Sequence, residues 1–124
     1  MRKRAGNMAT SQGGQILSFN EYQTRTSWTA VYPPEKALEY LALGLTSEAG
    51  EVAGKVKKVI RDHGSVVSDE MRAALRSELG DVLWYLAQLC TALEFNMSTV
   101  ARANLDKLAQ RKEAGTLGGS GDNR

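Results

Sequence analysis

Residues 35–62 read EKALEYLALGLTSEAGEVAGKVKKVIRD, and this stretch decides the fold class. Its apolar residues recur at spacings of three, four and seven positions, which places them on one stripe of a long helix. The members of this stripe are Leu38, Leu41, Leu45, Val52, Val56 and Ile60. The helix should start after the Pro33-Pro34 pair and end near Gly64, because glycine readily takes the left-handed conformation of a helix terminus.

A second long helix should begin after Ser68, whose hydroxyl is suited to cap a helix N-terminus. Its apolar stripe runs through Leu75, Val82, Leu86, Leu89 and Leu93. The same spacing rule that defines the first long helix therefore predicts a second one beside it.

Two shorter helices should flank this pair. Ser18 and Asn20 offer capping oxygens for a helix that reaches about Ala30, and Ser98 offers one for a last helix that ends near Glu113. The residues of the first short helix expected to be buried are Phe19, Tyr22 and Trp28. The sequence thus predicts an all-α fold, a helical bundle of two long and two shorter helices. A chain this small leaves apolar faces uncovered, so we expect oligomerisation to complete the bundle.

The chain ends differ in composition from this helical part. Residues 1–17 combine charge with Gly, Ser and Gln and are expected to form a mobile arm, residues 18–114 the helical domain, and residues 115–124 a Gly-rich tail. No repeat or further domain is indicated by the 124 residues.

Charge and cysteine content exclude several classes of protein. The formal net charge is only +2, which gives no basic stripe for a stable nucleic-acid partner. Cys90 is the only cysteine, so one chain can form neither a disulfide framework nor a thiolate zinc site. There is also no apolar run long enough to span a membrane. We expect a cytoplasmic protein, in the host cytoplasm if the gene belongs to a phage.

Each long helix carries a pair of carboxylates at positions i and i+3, namely Glu48 with Glu51 and Glu78 with Asp81. This spacing puts both members of a pair on one helix face. Carboxylates that converge between two helices repel one another unless a cation lies between them. All-oxygen ligation suits Mg²⁺, for which Mn²⁺ may substitute, rather than zinc.

The alternative is that these residues are ordinary solvated helix faces. Three glycines weigh against it, because glycine inside a helix costs about 1 kcal/mol relative to alanine. Gly44, Gly50 and Gly80 all lie close to the carboxylates in the sequence. A close approach of backbone or ligand would explain them.

Three blocks of the sequence, in this order, resemble the MazG-like nucleotide pyrophosphohydrolases: GLTSEAGEVAGKVKK at 44–58, ELGDVLWYLAQL at 78–89 and NLDKLAQR at 104–111. The family signature is ExxE, a spacer and ExxD, and the resemblance runs from about Phe19 to the end of the chain. It makes residues 18–114 a MazG-like catalytic domain that is expected to form a homodimer or homotetramer.

The resemblance implies hydrolysis of a nucleoside triphosphate, (d)NTP, to (d)NMP and pyrophosphate. It implies that Glu48, Glu51, Glu78 and Asp81 hold Mg²⁺. Glu48 or Glu51 would be the catalytic base that accepts a proton from the attacking water. We expect a deoxynucleotide substrate, with dGTP as the first choice, while a house-cleaning role on non-standard nucleotides stays open.

Substrate-binding residues follow from their spacing to the carboxylates. Lys55 lies four residues after Glu51 and is our first choice for a phosphate contact, whereas Lys58 could equally be a solubilising charge at the helix end. Trp84, three residues after Asp81, is the best candidate to stack on a nucleobase, although buried aromatic residues more often belong to the core. Other flat side chains are Trp28, Tyr32 and Tyr85, and Asn20 and Gln23 are candidate polar readers of the base edge.

Further candidates lie near the C-terminus. Asn104, Lys107 and Arg111 form a polar stripe that the resemblance assigns to phosphate or sugar binding and that spacing alone would assign to a solvated face. The ending GSGDNR, from Gly119 to Arg124, is a candidate lid over the phosphates, with Arg124 as a bidentate contact.

Two competing hypotheses come from other classes of protein. The first is a non-catalytic helical binding or assembly module. The second is a nucleic-acid binder that uses the basic residues Arg2 to Arg4.

Overall fold

The computed structural model describes residues 17–119, and within them the chain is all-helical, as predicted. Its helices are α1 (Phe19–Thr26), α2 (Ala37–Asp62), α3 (Asp69–Ala92) and α4 (Met97–Glu113). Short 3₁₀ turns at Ser27–Thr29 and Pro34–Lys36 lie between α1 and α2. The two long helices confirm the periodicity of their apolar residues, and both begin and end within two residues of the predicted positions.

The ends of the helices have local chemical causes. Ser18 and Glu21 form a reciprocal capping box at the start of α1, and the Ser68 hydroxyl accepts a hydrogen bond from the Met71 N–H at the start of α3. After α2 the chain turns through Gly64, whose φ of 57° is the left-handed conformation predicted for it. The short loop folds α3 back onto α2, and the two helices pack mainly against each other.

The start of α4 differs from the prediction. Asn96, not Ser98, is the N-cap residue, and its side chain makes no capping hydrogen bond. Two side chains of α1 accept the free backbone N–H groups instead: Gln23 Oε1 from Met97 at 2.8 Å and Asn20 Oδ1 from Ser98 at 3.2 Å. A tertiary contact thus replaces the local cap that α4 lacks.

Burial within one chain is sparse. Leu41, Val59, Ala87, Cys90 and Met97 are the buried apolar residues of the described part. The prediction that Phe19 and Trp28 would be buried is wrong for the single chain, where they are 48% and 61% exposed. Trp28 leaves the α1 face because the helix gives way to a 3₁₀ turn one residue earlier.

The long helices keep large apolar side chains at their surfaces, and the most exposed of these are Leu43, Ile60 and Leu79. Among the described residues, no helix is long and apolar enough to cross a lipid bilayer.

Candidate active site

The α2–α3 pairing brings together three of the carboxylates singled out in the sequence. Glu48 of α2 and Glu78 and Asp81 of α3 each offer an oxygen within 4.8 Å of the others. The i, i+3 spacing puts Glu78 and Asp81 on the α3 face that meets α2. These three groups therefore lie close enough to share one cation.

Glu51 stands outside this group of three. Its side chain is exposed, although its negative charge is near enough to help raise the pKa of Glu48. Its role as a metal ligand stays a prediction.

The charges in the cluster work against one another. The pKa of Glu48 lies above its ordinary value, first because of burial, then because of the charges of Asp81, Glu78 and Glu51 and a hydrogen bond with Glu78. A carboxylate that is costly to ionise in this way becomes easier to ionise beside a cation. The donor set is entirely oxygen and includes no thiol or imidazole, so the residues fit a hard divalent cation.

Lys55 partly neutralises the cluster from α2. Its Nζ lies 3.0 Å from Oε1 of Glu78, and both side chains are largely buried, with 25% and 17% exposed. The hydrogen bond and the attraction to Glu78 raise the pKa of Lys55. Lys58, by contrast, is exposed near the end of α2, where its charge contributes to lowering the pKa of Asp62.

A cavity of about 460 Å³ opens beside the carboxylates. Its lining residues are Thr29, Val31, Tyr32, Tyr40, Glu48, Asp81, Trp84 and Tyr85. This volume falls in the range of small-molecule sites. The structure thus places Trp84, the candidate for base stacking, in the same cavity as two of the carboxylates.

Aromatic rings dominate the cavity wall. Tyr32 stacks on Tyr40 with centroids 5.2 Å apart, and Trp84 meets Tyr85 edge-on at 5.0 Å. Burial first, and then a hydrogen bond with Tyr40, raises the pKa of Tyr85 above its ordinary value. The cavity is therefore flat-walled at one side and acidic at another.

Gly44 explains how the Tyr85 ring fits against α2. A Cβ at this position would overlap the ring, so the close approach expected of the helix glycines is confirmed here. At Gly50 and Gly80 a Cβ would meet open space within the described chain, so those two glycines show no such contact.

The sequence reasoning missed Thr29, Val31 and Tyr40 of the cavity wall, and Gln88 behind it. Tyr40 lies eight residues before Glu48, about two helical turns away, and Gln88 lies seven residues after Asp81 on α3. Extending the carboxylate face by the helical repeat would have placed both residues near that face, but it would not have shown what Gln88 binds.

Other predicted site residues are not brought to the cavity. Asn104, Lys107 and Arg111 of α4 are not among its lining residues, and Arg111 is 7% exposed rather than part of a solvated face. Asn20 and Gln23 do not line this cavity either, and their side-chain oxygens accept backbone hydrogen bonds from α4. Arg124 lies outside the described residues, as does the predicted lid apart from Gly119.

Comparison with known proteins gives the family. Residues 36–116 match the model of the MazG nucleotide pyrophosphohydrolase domain, and this match contains all four acidic residues of the ExxE and ExxD motifs. The chain belongs to the MazG family. The chain is also similar to the Gene 37 protein of Mycobacterium phage L5, with 49% identity over 109 residues that cover 83% of this chain and 96% of that protein. That name states no activity, and no solved structure matches the chain.

The MazG family is generally metal-dependent, and the acidic cluster of this chain could bind a metal ion. The family match places the chain among the nucleotide pyrophosphohydrolases. The choice of nucleotide and of ion is a separate question.

Proposed function

We propose that this chain hydrolyses a nucleoside triphosphate to a nucleoside monophosphate and pyrophosphate. The observation that carries the proposal is the Glu48, Glu78 and Asp81 cluster at one side of an aromatic cavity of nucleoside size, in a member of the MazG family. A triphosphate needs cations beside its phosphates and a flat apolar surface for its base, and the two parts of this cavity match those needs.

Glu48, Glu78 and Asp81, joined by Glu51, would hold Mg²⁺, with Mn²⁺ as a substitute. When bound, such an ion neutralises phosphate charge and makes an attacking water easier to deprotonate. Glu48 or Glu51 would accept the proton of that water at a carboxylate oxygen.

The substrate would be held by groups around the cluster. Lys55 is placed to exchange its contact with Glu78 for a phosphate oxygen, since its ammonium group already lies at the cluster. Trp84 would stack on the base in the cavity. Phosphate or sugar contacts by Lys58, Asn104, Lys107, Arg111 and Arg124 stay part of the proposal.

The preferred substrate is proposed to be a deoxynucleotide, with dGTP first, and a house-cleaning hydrolase of non-standard nucleotides is the nearest alternative. A panel of the common NTPs and dNTPs, incubated with Mg²⁺ or Mn²⁺, tests the reaction. Anion-exchange separation of the products should show NMP and pyrophosphate. Formation of NDP and phosphate would overturn the reaction, and no product from any nucleotide would favour a binding or assembly module.

Substitution of the acidic residues tests the site itself. Glu51→Gln and Asp81→Asn should each abolish turnover and leave the far-ultraviolet circular dichroism unchanged. Glu70→Gln is the matched control, because Glu70 is an exposed carboxylate in the first turn of α3, away from the cluster. A near-normal rate in either cluster variant would refute metal ligation at that position.

We also propose that the chain works as a homodimer or homotetramer, without a stable nucleic-acid or membrane partner. The exposed apolar side chains along α2 and α3 support a partner of the same kind.

A further inference from the structure

Gln88 is the largest polar side chain that the described part of the chain buries completely, at 1% exposed. It lies on α3, one turn beyond Trp84. Its amide contacts the segment of residues 26–32, which runs from the last residue of α1 towards α2, and not a neighbour on its own helix. A buried amide is costly unless both its oxygen and its nitrogen find partners.

The partners of Gln88 come from both ends of that segment. Its Oε1 accepts a hydrogen bond from the Tyr32 hydroxyl at 2.5 Å, and its Nε2 donates to Thr26 Oγ1 at 2.8 Å and Ser27 Oγ at 3.3 Å. The Thr26 hydroxyl in turn donates a hydrogen bond to the backbone carbonyl of Gln23 at 2.7 Å. The directions of these bonds are complementary, so they require one side chain with both a donor and an acceptor.

The same segment forms part of the cavity wall. Thr29, Val31 and Tyr32 line the cavity, and Thr29 accepts a 2.8 Å hydrogen bond from Trp84 Nε1. Residues 30–33 belong to no helix, and hydrogen bonds with two α3 side chains, Trp84 to Thr29 and Gln88 to Tyr32, hold this stretch against α3. Gln88 and Trp84 lie four residues apart on one face of α3. Their hydrogen bonds hold this part of the cavity wall in position next to Asp81.

We propose that Gln88 is a positioning residue for the nucleoside part of the substrate. By holding Tyr32 and Thr26 it sets the aromatic wall of the cavity, without touching the phosphates or the acidic cluster. The identity of the ligand rests on the function proposed above. Loss of Gln88 should therefore weaken nucleotide binding far more than it slows the chemical step.

Steady-state kinetics on the best nucleotide of the panel test this split. Gln88→Met keeps the side-chain volume and removes all three hydrogen bonds of the amide, and Tyr32→Phe removes only the hydroxyl. We expect KM to rise about 5- to 20-fold in the first variant and somewhat less in the second, the size of one or two lost hydrogen bonds. In both, kcat should change less than about threefold, since the carboxylates are untouched.

The matched control is Thr91→Val, one turn further along α3. Thr91 Oγ1 accepts a 3.2 Å hydrogen bond from Gln23 Nε2, so its loss also breaks a contact between distant segments, but Thr91 does not line the cavity. KM should stay unchanged in this control. The double variant Tyr32→Phe with Gln88→Met should have the KM of Gln88→Met alone, because the two single changes break the same bond.

A second measurement needs no turnover. In a Trp28→Phe background Trp84 is the only tryptophan, so acrylamide quenching of its fluorescence reports how firmly the wall covers it. Gln88→Met should raise the quenching constant in the nucleotide-free protein, whereas Thr91→Val should not.

The positioning role would be overturned if the quenching constant of Gln88→Met were unchanged. It would also be overturned if kcat of this variant fell by as large a factor as KM rose. A rise of KM in the control as large as that in Gln88→Met would overturn it as well. Failure of the unmodified chain to hydrolyse any nucleotide would instead overturn the proposed function, and the quenching result would still decide whether Gln88 fixes the wall.

Discussion

Glu48 is a residue of the acidic cluster whose ionised form is destabilised by its surroundings. Its carboxyl binds a proton more tightly in the folded chain than in the unfolded one, because burial and the three acidic neighbours raise its pKa. That contribution to stability is fully present below the ordinary pKa of a glutamate. It is lost as pH rises through the raised folded pKa.

Glu48→Gln should therefore stabilise the metal-free protein at neutral pH while it abolishes activity. In EDTA the thermal midpoint of the variant should be a few degrees higher than that of the unmodified protein. The unmodified protein should become less stable as pH increases above the ordinary glutamate range, and the variant should not. Added Mg²⁺ should raise the midpoint of the unmodified protein only. A lower midpoint for the variant in EDTA would contradict the repulsion described here.

Lys55 is the second residue whose role is testable alone. Lys55→Ala should raise KM and lower kcat, because the proposed phosphate contact is lost and Glu78 loses its cationic partner. Lys57→Ala, an exposed lysine two positions along α2, is the control and should behave as the unmodified enzyme. Equal kinetics for both variants would return Lys55 to the role of a structural ion pair.

At the scale of the helix, two glycines of α2 differ in what surrounds them: one lies against an aromatic ring and the other faces open space. Gly44→Ala should destabilise the chain by about 1–3 kcal/mol or displace the Tyr85 ring, because the added methyl group has no room. Gly50→Ala should stabilise it by up to about 1 kcal/mol, since the methyl meets open space and alanine favours helix. Urea unfolding of both variants measures the difference. A destabilising Gly50→Ala would indicate a neighbour that one chain does not supply.

The periodic elements were predictable from the sequence, and so was most of the acidic site. Leu41 is buried on the α2 face that the apolar spacing defines, and the i, i+3 rule placed Glu78 and Asp81 on one face. At the end of that stripe Val59 is buried instead of the predicted Ile60. These features depend on contacts within a helix or on the helical repeat, which the order of residues records directly.

What could not be predicted depends on contacts between distant segments. The cap of α4 comes from Asn20 and Gln23, more than 70 residues away, and a local search for a capping residue therefore chose Ser98. The burial expected for Trp28 failed because helix α1 stops at Thr26. Gln88 belongs to no sequence motif, and its role becomes visible only from its contact with Tyr32 in the folded chain.

At the scale of the whole molecule, the exposed apolar side chains predict self-association. Leu43 is 72% exposed and Ile60 63%, although their helix, α2, packs against α3. Light scattering behind size exclusion should give at least twice the 13.5 kDa chain mass. The thermal midpoint should rise with protein concentration, as it does when folding and assembly are linked. A monomer whose midpoint is independent of concentration would contradict this prediction.

The contacts made by α1 limit how far this protein can be shortened. The family match begins at residue 36, yet residues upstream of it supply the hydrogen-bond acceptors for the first turn of α4 and a wall of the cavity. A recombinant fragment trimmed to the homologous region would keep all four acidic residues of the ExxE and ExxD motifs and still lack these supports. Domain boundaries drawn from sequence homology are therefore too narrow for expression or domain-grafting work on this chain, and the N-terminal limit should lie no later than Ser18.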